Sequence, residues 1–179
     1  MIEEIRRDLP NTPIEIIVDW LSDFVGRAGW PPTQENTWGA ILGKPRDLAY
    51  LRNLTWEKTH IQIRPGCFEE NDFNRVLEMI RGHVFGEHTL YSLFMSDGAE
   101  RIKRCSEFLE TNGVFPKPII LELSENGRFH ILDGHHRLCA FLYLYGYITV
   151  SDPKVPCTTV KEFQEVWIAR KDSGRTEIL

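Results

Sequence analysis

The sequence predicts an α+β fold: a small mixed sheet with packed helices, preceded by an N-terminal helical extension. Three observations predict it. Apolar residues recur at helical spacing in several separate stretches. "PIILEL" and "RFHIL" (118–123 and 128–132) are strand-like and joined by Ser124-Glu125-Asn126-Gly127, whose Asn-Gly step is a strong hairpin signal. The second strand then passes without a linker into a helical pattern. At 179 residues and 42% hydrophobic, the chain suits one domain with a sizeable extension and a substantial core.

Taken in order, Thr12-Pro13-Ile14-Glu15 reads as a helix start. Thr12 would be the cap, Pro13 the first helical residue, and Glu15 the acid that closes a capping box. Ile14, Ile17, Val18, Leu21, Phe24 and Val25 continue the pattern until Gly26, Gly29 and Trp30-Pro31-Pro32 stop it. Gly39, Gly43 and Pro45 break the next stretch, so only a short helix from about Pro45 is expected. "THIQIRP" (59–65) alternates like a short strand. Phe73, Val76, Leu77 and Ile80 mark a helix ending at Gly82, and "HVFGEHTLYSLF" (83–94) fits strand or loop. Asp97 to Glu100 opens a helix that runs to Asn112-Gly113, with Ile102, Cys105 and Leu109 inward. After the hairpin, Leu138, Phe141, Leu142 and Tyr145 share one helix face up to Gly146. "PKVPCTTV" (153–160) reads as a last strand, "VKEFQEVWIARKDS" (160–173) as a terminal helix, and "GRTEIL" as a frayed end. The expected division is therefore 1–60, an extension; 61–160, the core; and 161–179, a C-terminal helix and tail.

The totals narrow the function classes. A net charge of −5 disfavours a protein that grips a nucleic-acid backbone, and "RIKR" (101–104) reads as the polar face of a helix. Cys67, Cys105, Cys139 and Cys157 are widely spaced, as expected of reduced thiols in the cytoplasm. "MIEEIRRDLP" lacks the basic-then-apolar order of a signal peptide, and the apolar run "CAFLYLYGYITV" is too short to span a bilayer. A cytoplasmic protein without a membrane partner is expected. Four of the five tryptophans, Trp20, Trp30, Trp38 and Trp56, fall within 1–60, as a packed helical unit or a partner surface would require.

The strand-to-helix junction concentrates the chemistry: Asp133-Gly134-His135-His136-Arg137. A helix opening near His135 leaves its first N–H groups unpaired and carries partial positive charge there. A glycine just before it permits close approach of an anion. Arg137 adds a guanidinium fork, and the imidazoles can donate hydrogen bonds or carry protons. Asp133 beside an anion makes sense as a holder of Mg²⁺ that bridges phosphates, or as a proton acceptor. The bland alternatives are Asp133 as a helix cap and one histidine as a structural hydrogen-bonder. Adjacent histidines point about 100° apart on a helix, which disfavours zinc. Cys139 within the helix reads as a small buried apolar residue.

The order helix, Asn-Gly turn, "PIILEL", hairpin, DGHHR loop, helix and "KVPCTTV" resembles the ParB/sulfiredoxin-like core. The likeness covers residues 97–160, with the Ile61–Arg64 strand ahead of it. Sulfiredoxins carry a nucleophilic cysteine in this loop, where His135 stands here, so their activity is not expected. Chromosome-partitioning ParB proteins, which bind CTP, share only Gly134 and Arg137 of the loop. The free serine kinases of this superfamily carry Asp-Gly-His-His-Arg or a close variant, which all five residues match. That resemblance implies a nucleotide-dependent kinase or NTPase using ATP or ADP, with CTP as the alternative, together with Mg²⁺ and a small-molecule hydroxyl acceptor. It implies that Gly134, His135, His136 and Arg137 hold phosphates, that Asp133 binds the metal, and that Asp133, His136 and Glu87 form the catalytic set. Glu87, upstream of the 97–112 helix, would be the base, ahead of Glu69 and Glu70. The remaining readings are a non-catalytic nucleotide- or DNA-binding module and a metal-dependent nuclease.

Overall fold

A computed structural model of the chain describes residues 1–33, 38, 46–94, 96–148 and 157–171. It is α+β, with helices α1 (Ile2–Asp8), α2 (Ile14–Ile16), α3 (Ser22–Ala28), α4 (Leu48–Arg52), α5 (Glu70–His83), α6 (Leu90–Phe94), α7 (Gly98–Asn112) and α8 (His135–Leu144). Strands β1 (Leu54–Gln62), β2 (Ile119–Leu123), β3 (Phe129–Asp133) and β4 (Phe163–Lys171) form one sheet in the order β1-β4-β2-β3. The chain divides into two compact units, Met1–Glu57 with Ala169–Leu179, and Lys58–Ile168.

In the first unit, α2 leads through a π-helical turn, Ile17–Leu21, into α3. Thr12 is not the cap. Pro13 takes that position with an extended backbone (φ −55°, ψ 143°), so the helix starts one residue later than its capping pattern suggests. Helix α1, buried through Ile5, had no counterpart in the sequence reading. Trp20 packs edge-on against Trp56, and Trp30 against Trp38, whose Nε1 donates to the Gly29 carbonyl at 2.6 Å. Trp20 and Trp38 are fully buried, so these tryptophans build a core.

The second unit holds the larger core. Val76, Met79 and Ile80 of α5, Ile102 and Leu109 of α7, and Leu138, Phe141 and Leu142 of α8 close on Ile119, Leu121, Ile131, Val166 and Ile168 of the sheet. Helix α7 ends at Gly113, which adopts φ +74°. The amide of Gly113 donates to Leu109, and a Cβ there would lie 2.5 Å from the Thr159 carbonyl. Asp97 stands at the N-cap, but its carboxylate takes Arg101 Nε at 2.7 Å instead of capping the helix.

Two expectations for the C-terminal part are corrected. Residues 153–156 of the expected last strand lie outside the described residues, and Cys157–Val160 forms a turn. The expected terminal helix is strand β4. Its buried side chains alternate, Gln164, Val166 and Ile168 facing in. The buried Gln164 disguised that alternation in the sequence. Its Oε1 accepts the Phe115 amide at 2.9 Å, and its Nε2 donates to the carbonyls of Gly113 (3.0 Å) and Lys161 (2.7 Å). These three hydrogen bonds offset the loss of water that burying an amide entails. Among the described residues, no helix is long and apolar enough to cross a membrane, and the four cysteines are free thiols.

Candidate functional site

The hairpin forms as its Asn-Gly step predicts. The Ser124 amide donates to the Arg128 carbonyl at 2.8 Å, and Gly127 takes φ +80°. β2 and β3 pair antiparallel, with Glu122 opposite His130 and Leu121 opposite Ile131, but Ile120 opposes Asp133. Leu132 is therefore an extra residue on β3. A bulge of this kind bends the strand end and re-aims the side chains that follow, and Asp133 is the next residue.

Gly134 then turns the chain at φ +100° and α8 begins at His135. A Cβ on Gly134 would sit 2.5 Å from Ile119 Cγ2, so both the backbone angle and the space require glycine. Gly134→Ala is expected to cost about 2 kcal/mol from the left-handed backbone and overpacking together. Urea unfolding checks it, and a midpoint equal to that of the wild type would show that the junction relaxes freely.

Arg137 is engaged by the protein itself. One terminal nitrogen donates to the carbonyls of Lys117 (3.0 Å) and Pro118 (2.8 Å), and the other pairs with the Asp133 carboxylate. Only 14% of the Arg137 side chain is exposed. The Asp–Arg pair, one helical turn apart, thus fastens the loop to the residues that enter β2. The phosphate-gripping role expected of Arg137 would require its fork to leave these partners.

The two histidines face different neighbours. The charges that act most on His135 are Arg75 and Asp72 of α5, whereas those on His136 are Arg101 of α7, His83 of α5 and Asp97. The buried Nε2 atoms of His135, His136 and His83 have no hydrogen-bond partner among the described residues. Burial, reinforced by the neighbouring arginines, lowers both loop imidazoles to a pKa of about 4 and keeps them neutral near pH 7. His83 lies tightly against the start of α7, where a Cβ on Gly98 would meet its Nε2 at 2.3 Å.

Glu87 lies elsewhere. Its carboxylate takes Arg81 at 2.7 Å, and Glu78 lies on the same guanidinium at 3.1 Å. These groups line a cavity of about 380 Å³ with Asn74, Leu77, Phe85 and Ile148, and no residue of 133–137 contributes to it. Glu69 precedes α5 as its N-cap, and Glu70 opens that helix. Cys139 is buried, its thiol pushed up by burial and directed at the Val76 carbonyl at 3.7 Å, which fits the apolar role expected of it. Arg101, Lys103 and Arg104 each pair with an acid one turn away, so the "RIKR" stretch is a neutralised face.

Asp133 is committed to Arg137, and among the described residues no group of three or more His, Cys, Asp or Glu side chains is arranged to hold a metal ion. Mg²⁺ is commonly held by one or two carboxylates plus phosphates. Asp133 fits that pattern only as the single protein ligand of an ion delivered with its nucleotide.

The sequence reading did not single out Arg75 or His83, and it took Arg101 only as part of a polar helix face; helix packing is what brings their charges to bear on the loop histidines. Models of protein families, curated proteins and solved structures were compared with the chain, and none matches it.

Proposed function

We propose that this protein is a nucleotide-dependent phosphotransferase or NTPase on a ParB/sulfiredoxin-like core, working in the cytoplasm with ATP or ADP (CTP as the alternative), Mg²⁺ and a small-molecule hydroxyl acceptor. The observation that carries the reading is the start of α8. There a left-handed glycine opens a helix N-terminus beside two neutral imidazoles whose Nε2 atoms are unpartnered. Helix amides, imidazole N–H groups and the Arg75 guanidinium suit phosphate oxygens. In this reading Gly134, His135 and His136 contact phosphate, Asp133 takes Mg²⁺ with the nucleotide, and Arg137 holds the loop in shape. Phosphoryl transfer depends mainly on such positioning and charge stabilisation.

One observation favours a second reading, a module that binds nucleotide without turning it over. Asp133, Arg137 and Glu87 are all held in ion pairs. A DNA-binding module and a metal-dependent nuclease draw less support, given the neutralised basic stretch and the lack of a metal-ligand cluster among the described residues.

Thermal stability with Mg²⁺ and ATP, ADP, CTP, GTP or inorganic phosphate tests the proposal. Ligand at ~100 times Kd should stabilise the protein by about 2.7 kcal/mol. Arg75→Ala should reduce the shift at fixed ligand concentration. The absence of a shift with every ligand would count against phosphate binding at this loop.

A further inference from the structure

His130 precedes the loop by three residues and was not singled out by any motif. Its Nδ1 lies 2.8 Å from Asp72 Oδ2. The Asp72 side chain is only 15% exposed, whereas that of His130 is 40% exposed. The chain before α5 is stitched to β3 by the Phe68–Phe129 bridge and by the Glu69 amide, which donates to the Phe129 carbonyl at 3.0 Å. That stitching sets the first turn of α5, with Asp72 on it, beside His130. His130 stands on β3 three residues before Asp133, opposite Glu122 where Asp133 is opposite Ile120, and that strand runs through Gly134 into α8.

We propose that Asp72 and His130 form the acid–base dyad of this site, with His130 receiving the proton of the hydroxyl that attacks the terminal phosphate of a nucleoside triphosphate. The proposal rests on the phosphotransferase reading. An ionised carboxylate only accepts hydrogen bonds, so in the proposed dyad Nδ1 carries the proton between the two groups and Nε2 supplies the lone pair that takes the hydroxyl proton. The mostly buried carboxylate fixes the ring's tautomer and orientation and stabilises the imidazolium that forms, the arrangement by which an acid–imidazole pair activates a hydroxyl. In the transfer, the acceptor oxygen bonds to the terminal phosphorus as its proton passes to Nε2. The bridging P–O bond breaks, and its electron pair leaves with the nucleoside diphosphate. The imidazolium then returns the proton to solvent. Glu87, bound to Arg81 on the wall of the cavity that no residue of 133–137 lines, is not needed for this step.

The charged groups around His130 are Asp72 from α5, Glu69 from the segment before it, and Glu122, which opposes His130 on β2. Glu122 is buried within the sheet.

The test measures inorganic phosphate release from Mg·ATP with water as acceptor, from pH 5.5 to 9, and the ATP-induced thermal shift, for wild type, His130→Gln and Asp72→Asn. The expected result is a loss of ~10²-fold or more in turnover for His130→Gln, with the ATP-induced shift retained and the rise of rate with pH flattened. Asp72→Asn should lose at least ~10-fold, because its amide favours the wrong tautomer. A merely structural pair would leave the pH profile unchanged. Wild-type turnover and pH dependence in His130→Gln would overturn the dyad while leaving the phosphotransferase reading standing, as would loss of turnover in Glu87→Gln alone. A wild type that neither shifts with nor hydrolyses ATP, CTP or GTP would overturn that reading and the dyad with it.

Discussion

Lowering the pH from 6.5 to 4 is expected to destabilise the protein through His135 and His136. Both imidazoles titrate near 6.5 in the unfolded chain and at about 4 when folded. Between those values the unfolded state binds more protons than the folded one, so stability rises with pH. The contribution is fully present above about 6.5 and is lost as the pH falls through 4. The slope is up to about 1.4 kcal/mol per pH unit for each histidine that stays unprotonated in the fold. The two histidines should contribute about equally, since both fall to the same value, and His135 is taken as the one to isolate. Urea unfolding at half-unit intervals of pH, on wild type and His135→Gln, isolates it from the carboxylates that titrate at the acid end. Parallel curves for the two proteins between pH 6.5 and 4.5 would show that His135 protonates freely in the folded state. Burial is the main cause; Arg75 and Arg137 add to it around His135 and Arg101, His83 and Arg137 around His136, while Asp72 and Asp97 oppose it.

Arg137→Ala is expected to cost about 2–4 kcal/mol in stability. The substitution leaves the Asp133 carboxylate without its partner and uncovers two carbonyl groups that accept from Arg137. Breaking one side of a buried ion pair costs about 3–5 kcal/mol, and the partial exposure of Asp133 moves the expectation below the top of that range. Arg137→Lys should recover only part of the loss, because a single ammonium cannot reach a carboxylate and two carbonyls with the geometry of a fork. A double-mutant cycle with Asp133→Asn, read by urea unfolding, should give a coupling above ~1 kcal/mol. A single-variant loss under ~0.5 kcal/mol would place the pair among ordinary solvated surface pairs. The consequence for function is direct. Weaker nucleotide binding in Arg137→Ala would report loss of loop shape as much as loss of a phosphate contact, which is why Arg75 is the cleaner probe.

The sequence by itself determined the local elements whose signals lie within a few residues. The Asn126-Gly127 hairpin, the Gly113 end of α7, and the opening of α8 after Gly134 all follow from backbone angles that only certain residues accept. The concentration of polar groups at 133–137 was legible for the same reason. Tertiary structure decided what those groups do. Arg137 has a fork that suits phosphate in isolation, but the residues entering β2 and the bulged end of β3 bring two carbonyls and Asp133 within its reach. His135 and His136 are adjacent in the sequence, and packing against α5 on one hand and α7 on the other gives them different neighbours and buries the Nε2 atom of each. Strand β4 resembled a helix because a buried Gln164 broke its apolar alternation, and only the three hydrogen bonds it finds in the fold make that position inward-facing. The Asp72–His130 pair is separated by 58 residues. No local pattern encodes it, since its geometry exists only once the start of α5 is stitched to β3.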